Sequence, residues 1–369
     1  MRIAAIVATE SVSGPGRQLA ALADPLRDAG IELHVIVLTR QPGHPPPYAS
    51  YLKDRRVPHS LIRDRGPADF RIVRDLARAV REMDAAIVQT HGYKATAAGY
   101  LLRQAAPARP WIAFYHGATD KGVKDRVYHA MERRFLSAAD RIAVVSETQR
   151  QVVGVESPVT VIANAVLTDA AYHDTVSRTA LTLAGRRPRI GVIGRLSREK
   201  GVDVFLHACA ALNSRAFPFS AYVIGDGRDA PALRTLCRTL QLDGEVSFTG
   251  RIDPVAPLYR QLDLIVIPSR SEGLPNVLLE ALAADRPVVA TAVGAVPDVL
   301  AGAESGVLVP PGSATKLAEG MLSALQRGTT PTAAAARAAA VKRYSLEQRV
   351  QRHLDLYREV ALRPSTISA

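Results

Sequence analysis

Residues 189–201 read RIGVIGRLSREKG, and residues 264–281 read LIVIPSRSEGLPNVLLEA. Each stretch opens on a short apolar run, Arg189–Ile193 or Leu264–Ile267, which is typical of a strand buried on both faces of a parallel sheet. Each run ends in a polar loop that contains glycine, and a segment of helical length follows the loop. Strand, loop and helix in that order form the repeating unit of a doubly wound α/β domain.

The same unit recurs along the whole chain. Further runs typical of buried strands are Ile3–Ala8, Leu33–Leu38, Ala85–Gln89, Trp111–Tyr115, Arg141–Val145, Val159–Ile162, Ala221–Ile224, Val246–Thr249, Pro287–Ala290 and Val307–Val309. Amphipathic segments of helical length lie between them, among them Gln18–Asp28, Phe70–Met83, Val202–Leu212, Ala230–Leu240 and Ala314–Leu325. Since 369 residues exceed one ordinary core, the alternation predicts an α/β protein of two doubly wound, Rossmann-like domains.

A polar stretch between the two series of strands predicts the domain boundary. It has no long strand signal and ends at Pro188. The last amphipathic segment, Leu346–Val360, comes after the strands of the second domain. We therefore expect a first domain at residues 1–170 that residues 346–369 complete, a linker at residues 171–188 and a second domain at residues 189–345.

Composition is that of an ordinary globular protein, with 47% hydrophobic and 22% charged residues, which argues against disorder. Cys209 and Cys237 lie in apolar helical patterns and are expected to be buried free thiols, not disulfide partners or metal ligands. The apolar run that opens the chain is too short for a signal-peptide core. No apolar run approaches the roughly 18 residues of a membrane span. These features predict a cytoplasmic protein.

The net charge of +12 admits more than one partner. Basic residues concentrate between Lys53 and Arg81 and between Lys121 and Arg134. They are either solvated helix faces or a surface attracted to anionic lipid at the inner face of the membrane. Nucleic acid is disfavoured, because aromatic residues make up only 5% of the chain and no base-stacking motif is present.

The loop after Arg189–Ile193 has the residues of a phosphate site. Gly194 at the strand end would let a ligand approach the backbone. Arg195 and Lys200 flank a turn into a helix, and a guanidinium and an ammonium there suit a diphosphate. Taken alone, the same motif could be no more than a charged loop.

The loop after Leu264–Ile267 adds two carboxylates. Pro275 marks the start of a helix, so Glu272 lies in the loop and Glu280 lies within the helix. A helix N-terminus favours phosphate, a carboxylate in the loop can accept hydrogen bonds from sugar hydroxyls, and a deeper one could bind a ribose diol. Because the helix is otherwise apolar, Glu280 is expected to have a specific partner.

Weaker candidates lie at other strand ends. Gly225-Asp226-Gly227 is a strand-end turn, and Gly14-Pro15-Gly16 is a degenerate glycine loop that lacks the features of a dinucleotide site. His91 and His116 each precede a glycine at the end of a first-domain strand, which makes them better candidates than an isolated histidine. Asn164, at the end of the last first-domain strand, could either contact a ligand or hold the linker.

Taken together, these motifs resemble the retaining family-4 glycosyltransferases of GT-B architecture. The resemblance is carried, in chain order, by Gly194-Arg195-Leu196 with Glu199-Lys200-Gly201, Gly225-Asp226-Gly227, Phe248-Thr249-Gly250-Arg251, Glu272 with Glu280, and Gly306-Val307-Leu308-Val309-Pro310. The combination is specific, although no single motif is. It implies two domains that face a central cleft and a C-terminal helix that crosses back to the first domain.

The resemblance also implies roles for the matched residues. Arg195 and Lys200 would hold the diphosphate of a nucleotide-sugar donor and stabilise the charge of the leaving group. Glu280 would bind the ribose, Glu272 the transferred sugar, and His116 would lie near the anomeric centre. Catalysis would need no metal, and the acceptor would be a glycan or a lipid-linked molecule in cell-surface polysaccharide assembly.

Further residues would complete the donor site, with the base near Arg251-Ile252 and the glycine loop of the first domain near donor phosphate or acceptor. They are Gly14, Gly16, His91, Asn164, Gly194, Gly225, Arg251, Ile252, Gly273, Leu274, Pro275, Asn276 and Val277. One departure concerns Pro15, where many members carry a Gly-Gly pair, because proline removes a backbone N–H donor. A sugar phosphorylase or nucleotide-sugar epimerase on the same scaffold, and a non-catalytic binding module, are the alternatives.

Overall fold

The computed structural model describes residues 1–41, 43–66, 71–105, 109–117, 131–167, 182–301, 304 and 306–362. The chain divides into two units. The first comprises Met1–Asn164 together with the C-terminal segment from Leu346, and the second is Ala165–Ser345. Much of the expected linker, at residues 171–188, lies outside the described residues.

The first unit contains a sheet of seven parallel strands in the order β3-β2-β1-β4-β5-β6-β7. Its core forms because the strands are apolar on both faces, and Ile3, Val35 and Ile87 have no exposed surface. The strands are β1 (Arg2–Val7), β2 (Glu32–Thr39), β3 (His59–Arg63), β4 (Ile87–His91), β5 (Trp111–Tyr115), β6 (Arg141–Val144) and β7 (Val159–Val161).

Strand β3 is absent from the strands expected from the sequence. It lies at the edge of the sheet, where it pairs in parallel with β2 alone. Of its residues only Ile62 is buried. An edge strand with so little burial does not show the continuous apolar pattern by which the other strands were predicted.

The helices of the first unit differ from expectation at one place. The single helix expected at Gln18–Asp28 is two helices, because Pro25 has no N–H and its ring would clash with the carbonyl four residues earlier. Ser13 caps the first of the two by accepting a hydrogen bond from the N–H of Gly16. The bounds are α1 (Gly14–Ala20), α2 (Ala23–Asp28), α3 (Pro47–Asp54), α4 (Arg71–Glu82), α5 (Tyr93–Ala105) and α6 (Glu147–Val153).

The C-terminal helix returns to the first unit. It spans Leu346–Leu362, and its apolar face, which includes Leu354, Tyr357 and Val360, belongs to the same buried cluster as Ile3 of β1. The expected crossing back of the C-terminal helix is thereby confirmed.

The second unit contains a sheet of six parallel strands in the order β10-β9-β8-β11-β12-β13. The strands are β8 (Arg189–Ile193), β9 (Ser220–Ile224), β10 (Val246–Gly250), β11 (Leu264–Ile267), β12 (Val288–Thr291) and β13 (Val307–Val309). Both sheets have helices between consecutive strands, so the prediction of two doubly wound α/β domains is confirmed.

The helices of the second unit cover its sheet, and Phe205, Leu206 and Cys209 are fully buried in its core. Cys209 and Cys237 are buried free thiols, as expected. The helices are α7 (Val202–Asn213), α8 (Ala230–Thr239), α9 (Ala256–Tyr259), α10 (Asn276–Ala283), α11 (Val296–Leu300), α12 (Ala314–Arg327) and α13 (Pro331–Arg343), and the returning helix is α14 (Leu346–Leu362). Within the described ranges, no helix has both the length and the apolarity to cross a bilayer.

Candidate functional site

The second sheet brings the two decisive loops to one edge. Strands β8 and β11 are neighbours, with Leu264 opposite Ile190, and the strand order proceeds outward from them on both sides. Parallel strands end at the same edge of a sheet, and the point where their order diverges is where doubly wound domains bind ligands. The loops after β8 and β11 therefore leave the sheet side by side at such a point.

The loop after β8 is held against the loop after β11 by a close backbone approach. Gly201 has a φ of +64° and leads directly into α7. A Cβ at this position would lie 2.0 Å from the carbonyl oxygen of Pro268, which is closer than any side chain can come. Only glycine satisfies both the backbone conformation and the space.

A second glycine supports the other end of the same loop. Gly225, with a φ of +145°, follows β9, and a Cβ there would lie 1.8 Å from the carbonyl oxygen of Gly194. At Gly194 itself, in contrast, an added Cβ would meet no described atom within 4 Å. The expectation that Gly194 leaves room beside the backbone agrees with this geometry, whereas Gly225 serves the packing of the loop.

The two predicted phosphate-binding cations lie in this loop with different exposure. The side chain of Arg195 is 68% exposed, and its Nη2 is 3.1 Å from Glu199 Oε1. Glu199 also accepts a hydrogen bond of 2.6 Å from the Ser197 hydroxyl. Partial burial alone would raise the pKa of Glu199, but the Ser197 hydrogen bond and the charges of Arg195 and Lys200 lower it. Glu199 is therefore an ionised partner that orients Arg195.

Lys200 reaches across to the other loop. Its Nζ lies 2.6 Å from Glu272 Oε1, and the two side chains are 27% and 10% exposed. Ser269 donates a further hydrogen bond of 2.7 Å to the same carboxylate oxygen. Two residues that the sequence placed in one site therefore contact each other, and the pair carries no net charge.

Glu280 has the specific partner that its place on an apolar helix predicts. It is the fifth residue of α10, whose preceding residue Pro275 provides no side-chain cap. The hydroxyl of Tyr259, at the end of α9, donates a hydrogen bond of 2.6 Å to Glu280 Oε2. The carboxylate is partly exposed, so it can accept further hydrogen bonds.

Sequence reasoning missed a clamp that joins the two loops. Arg270 donates hydrogen bonds of 2.7 and 2.6 Å to the two carboxylate oxygens of Asp203, at the start of α7. It also donates to the carbonyl of Arg198, and its own N–H bonds to the carbonyl of Glu199. The signal was present in the sequence as an arginine between Ser269 and Ser271, but nothing there indicated its partner.

The remaining second-unit positions surround these loops. Arg251 is exposed after β10 and lies 3.4 Å from Asp253, and Ile252 is half-buried. The segment Gly273, Leu274, Pro275, Asn276 and Val277 carries the chain from the loop into the first turn of α10. Among the described residues, no group of three or more His, Cys, Asp or Glu could hold a metal ion.

In the first unit, the glycine loop after β1 has a packing role that the sequence did not predict. Gly16 is buried, and a Cβ there would lie 2.8 Å from the ring of Tyr48. Its N–H bonds to the Ser13 hydroxyl, and its carbonyl accepts a hydrogen bond from the Tyr48 hydroxyl. Gly14, the first residue of α1, is half-buried. Gly16 is therefore explained by its protein contacts.

The two candidate histidines form a pair. His91 ends β4 and His116 follows β5, and His91 Nδ1 lies 3.3 Å from His116 Nε2. The ring of His91 also stacks on Phe114, with centroids 4.5 Å apart. Burial and the nearby charge of Arg349 lower the pKa of His116 to about 4, so this imidazole is neutral at pH 7.

Helix α14 supplies residues beside this pair that the sequence analysis overlooked. Arg349 donates a hydrogen bond of 2.5 Å to the carbonyl of Ala163 and lies 3.4 Å from Asn164 Oδ1. Asn164, one of the predicted site residues, thus contacts α14. His353, one helical turn after Arg349, stacks on Phe114. Their spacing on one face of an amphipathic helix was the available signal, but the pattern predicts only burial.

The two sheets, with the loops after β8 and β11, define a two-domain α/β protein. Comparisons with known proteins identify its family. The model described as "Glycosyltransferase Family 4" matches residues 12–170, and the model described as "Glycosyl transferases group 1" matches residues 187–327. Together the two models cover most of the chain. The chain belongs to the family-4, group 1 glycosyltransferases, as its motifs led us to expect.

Curated relatives share part of the sequence. The chain is 30% identical over 180 residues to the alpha-D-kanosaminyltransferase of Streptomyces kanamyceticus, covering 48% of this chain and 47% of the relative. It is 30% identical over 177 residues to the lipopolysaccharide core biosynthesis mannosyltransferase LpsB of Rhizobium meliloti, covering 45% and 50%. The chain spans about half the length of the curated relatives it matches.

A solved structure shares the fold over nearly its full length. The chain superimposes on Anabaena Alr3699/HepE in complex with UDP-glucose with a TM-score of 0.81 and 19% identity, covering 97% of this chain and 100% of that one. At this identity the likeness shows the fold alone. The architecture is therefore that of GT-B glycosyltransferases.

Proposed function

We propose that this protein is a glycosyltransferase that moves a hexosyl or N-acetylhexosaminyl unit from a nucleotide diphosphate sugar to an acceptor. The observation that carries the proposal is the contact between Lys200 and Glu272, which lies where the strand order of the second sheet diverges between β8 and β11. It places a cation for phosphate and a carboxylate for sugar hydroxyls within 2.6 Å of each other. Family membership and the UDP-glucose complex of Alr3699/HepE support the same class of donor.

The roles follow from the chemistry of each side chain. Arg195 presents an exposed fork of donors and Lys200 a point charge, and together they would hold the diphosphate and stabilise the leaving group. Glu280, held by Tyr259, would accept hydrogen bonds from the ribose. Glu272 would bind the transferred sugar, which His116 would also contact. Since the two cations supply the positive charge, the proposed reaction needs no metal.

Three finer points complete the proposal. Retention of the configuration at the anomeric carbon is proposed from the family resemblance alone, and a front-face path is proposed because no carboxylate is assigned as a nucleophile. The acceptor is a glycan or a lipid-linked molecule, and the setting is the biosynthesis of cell-surface polysaccharide or glycolipid. The relative LpsB, whose name includes lipopolysaccharide core biosynthesis, supports that setting. NMR of the product would show the anomeric configuration.

The basic first unit supports association with an anionic membrane at its cytoplasmic face. Helix α4 exposes Arg71, Arg74, Arg78 and Arg81. Their spacing of three and four residues places them along one face of the helix, opposite the buried Leu76 and Val80. We expect sedimentation with vesicles that contain phosphatidylglycerol, reduced in Arg74→Glu/Arg78→Glu. Equal sedimentation of that variant would remove α4 from the contact.

A panel of UDP-, GDP- and ADP-sugars, run with EDTA present, tests the proposed function. We expect one donor to raise the melting temperature and to be hydrolysed slowly in the absence of acceptor. Binding without hydrolysis, even when candidate acceptors are added, would favour a binding module. Phosphate-dependent turnover would favour a phosphorylase, and release of an epimerised donor would favour an epimerase. No response to any donor would contradict the proposal.

A further inference from the structure

Ser269 is a buried serine whose hydroxyl bonds to a carboxylate of the candidate site. It lies two residues after the end of β11 and is 1% exposed. Its Oγ donates a hydrogen bond of 2.7 Å to Glu272 Oε1. The same oxygen accepts a hydrogen bond of 2.6 Å from Lys200 Nζ. Both side-chain partners of Glu272 within the described residues therefore meet at a single carboxylate oxygen.

The other oxygen of Glu272 is open to a ligand. Among the residues that the structure describes, none donates a hydrogen bond to Oε2. Oε2 is also not one of the solvent-shielded polar atoms that lack a partner, so water reaches it. A carboxylate oxygen can accept hydrogen bonds from hydroxyl groups. The two oxygens of Glu272 thus differ, because Oε1 is held by the protein and Oε2 can accept a hydrogen bond from a ligand.

The backbone on either side of the Ser269 hydroxyl is fixed to neighbouring elements. Thr291, which ends β12 and is 1% exposed, donates a hydrogen bond of 2.5 Å to the carbonyl of Ser269. The N–H of the next residue, Arg270, bonds at 2.8 Å to the carbonyl of Glu199 in the loop after β8. The Ser269 hydroxyl therefore projects from a backbone that both β12 and the other loop hold in place.

The two partners of Glu272 Oε1 differ in how easily they can leave. Lys200 reaches the carboxylate from the other loop, through a flexible four-carbon side chain that is 27% exposed. In the proposed function its ammonium binds the donor diphosphate. Ser269 lies three residues before Glu272 in the same loop, and its hydroxyl is buried. When Lys200 turns to phosphate, the Ser269 hydroxyl remains on Oε1.

We infer that Ser269 is a positioning residue that holds Glu272 in place once Lys200 binds the donor diphosphate, so that Oε2 meets a hydroxyl of the transferred sugar. The inference rests on the proposed function, in which Lys200 binds phosphate and Glu272 binds the sugar. A carboxylate without a partner on Oε1 would sample several rotamers, and fixing it on the ligand would cost conformational entropy. With the Ser269 hydrogen bond in place, the carboxylate is ordered before the sugar arrives.

The loop after β8 contains a matched serine. Ser197 is 7% exposed, and its hydroxyl donates a hydrogen bond of 2.6 Å to Glu199 Oε1. The same oxygen accepts a hydrogen bond of 3.1 Å from Arg195 Nη2. Both loops therefore contain a buried hydroxyl, a carboxylate and a cation joined at one oxygen. Because Glu199 orients a phosphate-binding arginine and has no proposed sugar contact, Ser197→Ala is the matched control for Ser269→Ala.

The test measures how strongly the protein recognises each hydroxyl of the transferred sugar. The probes are the UDP-, GDP- or ADP-sugar that binds in the donor panel and its deoxy analogues, each with one sugar hydroxyl replaced by hydrogen. Calorimetry gives their affinities without any need for turnover. We expect the wild type to bind at least one analogue about tenfold or more weakly than the parent donor, because a hydrogen bond to the carboxylate is lost.

The two serine variants should differ in this ratio of affinities. In Ser269→Ala we expect the ratio to fall to about threefold or less, while the sugar-free nucleoside diphosphate binds within about twofold of its wild-type affinity. In Ser197→Ala we expect the wild-type ratio, with parent donor, analogue and diphosphate all bound more weakly. Ser269→Cys keeps the size of the side chain but has a weaker donor, so it should give an intermediate ratio.

Several outcomes would overturn the inference. One is a folded Ser269→Ala protein, with the melting temperature of the wild type, that keeps the full ratio. Another is an equal fall of the ratio in both serine variants, or a uniform weakening of every probe in Ser269→Ala, since either would show a structural role only. A wild type that binds the donor and all its deoxy analogues equally would remove Glu272 from the sugar. Absence of binding by any donor would instead refute the proposed function itself, and this inference with it.

Discussion

The loops after β8 and β11 in the second unit and the surroundings of Arg349 in the first unit differ in how their cations are partnered. In the second unit Lys200 meets Glu272 and Arg195 meets Glu199, and each cation remains at least a quarter exposed. In the first unit Arg349 is 6% exposed and its described partners are neutral. At these two places the more exposed cations have carboxylate partners and the buried cation has neutral ones, which is the reverse of what stability alone would favour. Other buried cations are paired, as Arg141 is with Glu359 and Arg337 with Asp285.

The difference teaches what each region does. A partly exposed cation that already has a carboxylate partner can exchange it for a phosphate, and the released Glu272 is then available to sugar hydroxyls. A buried cation with neutral partners cannot exchange ions, and burial together with the nearby positive charge lowers the pKa of the imidazoles around it. The second unit is suited to binding a charged donor, and the first to holding histidines neutral.

The largest effect is expected from Lys200→Ala, which removes the ammonium that we propose holds the donor diphosphate. Loss of one such charge stabiliser should reduce turnover by about 10²–10³-fold. Lys316→Ala is the control, since Lys316 is exposed on α12 and pairs with Glu319. Donor turnover within twofold of the wild type, in a variant with an unchanged melting temperature, would remove Lys200 from the site.

An intermediate effect is expected from Glu280→Gln. The amide oxygen can still accept the Tyr259 hydrogen bond, so the helix is preserved while the charged acceptor for the ribose is lost. Weakening a charge-assisted hydrogen bond by about 1.4 kcal/mol corresponds to about tenfold in nucleotide affinity by calorimetry. The wild type should also bind the 2′,3′-dideoxy analogue of the nucleotide more weakly than the nucleotide itself, and this difference in affinity should be much smaller for the variant. Equal discrimination by both proteins would place the ribose elsewhere.

The smallest effect is expected from Asp203→Asn, which weakens the clamp to Arg270. Partial burial would raise the pKa of Asp203, but the hydrogen bonds and charge of Arg270 outweigh it and lower the pKa. The carboxylate therefore stabilises the fold above its ordinary pKa, and this contribution is lost as the pH falls through the lowered value. Because both side chains are about a third exposed or more, we expect about 1 kcal/mol or less, or a melting temperature about 2–4 °C lower at pH 7.

Calorimetric melting of Asp203→Asn and the wild type at a series of pH values tests the predicted direction of this pH dependence of stability. The difference between the two proteins should shrink as the pH falls below about 4 and through the lowered pKa of the folded state, below which the aspartic acid is protonated in both states. A difference that grows toward low pH would show that the clamp does not depend on the ionised carboxylate.

Local patterns were sufficient to predict most of the fold. Strands such as β8 and β11 are buried on both faces and therefore show continuous apolarity. Strand β3 lies at an edge, with only Ile62 buried, so its sequence has no comparable pattern. The break before α2 depended on Pro25, whose effect inside an apolar period is easily missed.

The candidate site was predictable where charged residues follow shortly after the end of a strand. Arg195, Lys200 and Glu272 lie within a few residues of β8 or β11, and the parallel topology brings them together. Arg349 and the Asp203–Arg270 clamp were not predictable, because their partners are distant in sequence and only the folded chain makes the contacts. The sequence shows which residue types are present, but it does not show which partners they contact in the folded chain.

The most direct test of the account is the affinity of the second unit's site for phosphate charge. Calorimetry would compare the nucleoside diphosphate of the best donor with its nucleoside, in the wild type and in Lys200→Ala. The account predicts that removal of the phosphates weakens wild-type binding by at least about tenfold, and weakens the binding of Lys200→Ala much less. A wild type that binds nucleoside and diphosphate equally, or a variant that keeps the full difference, would contradict it.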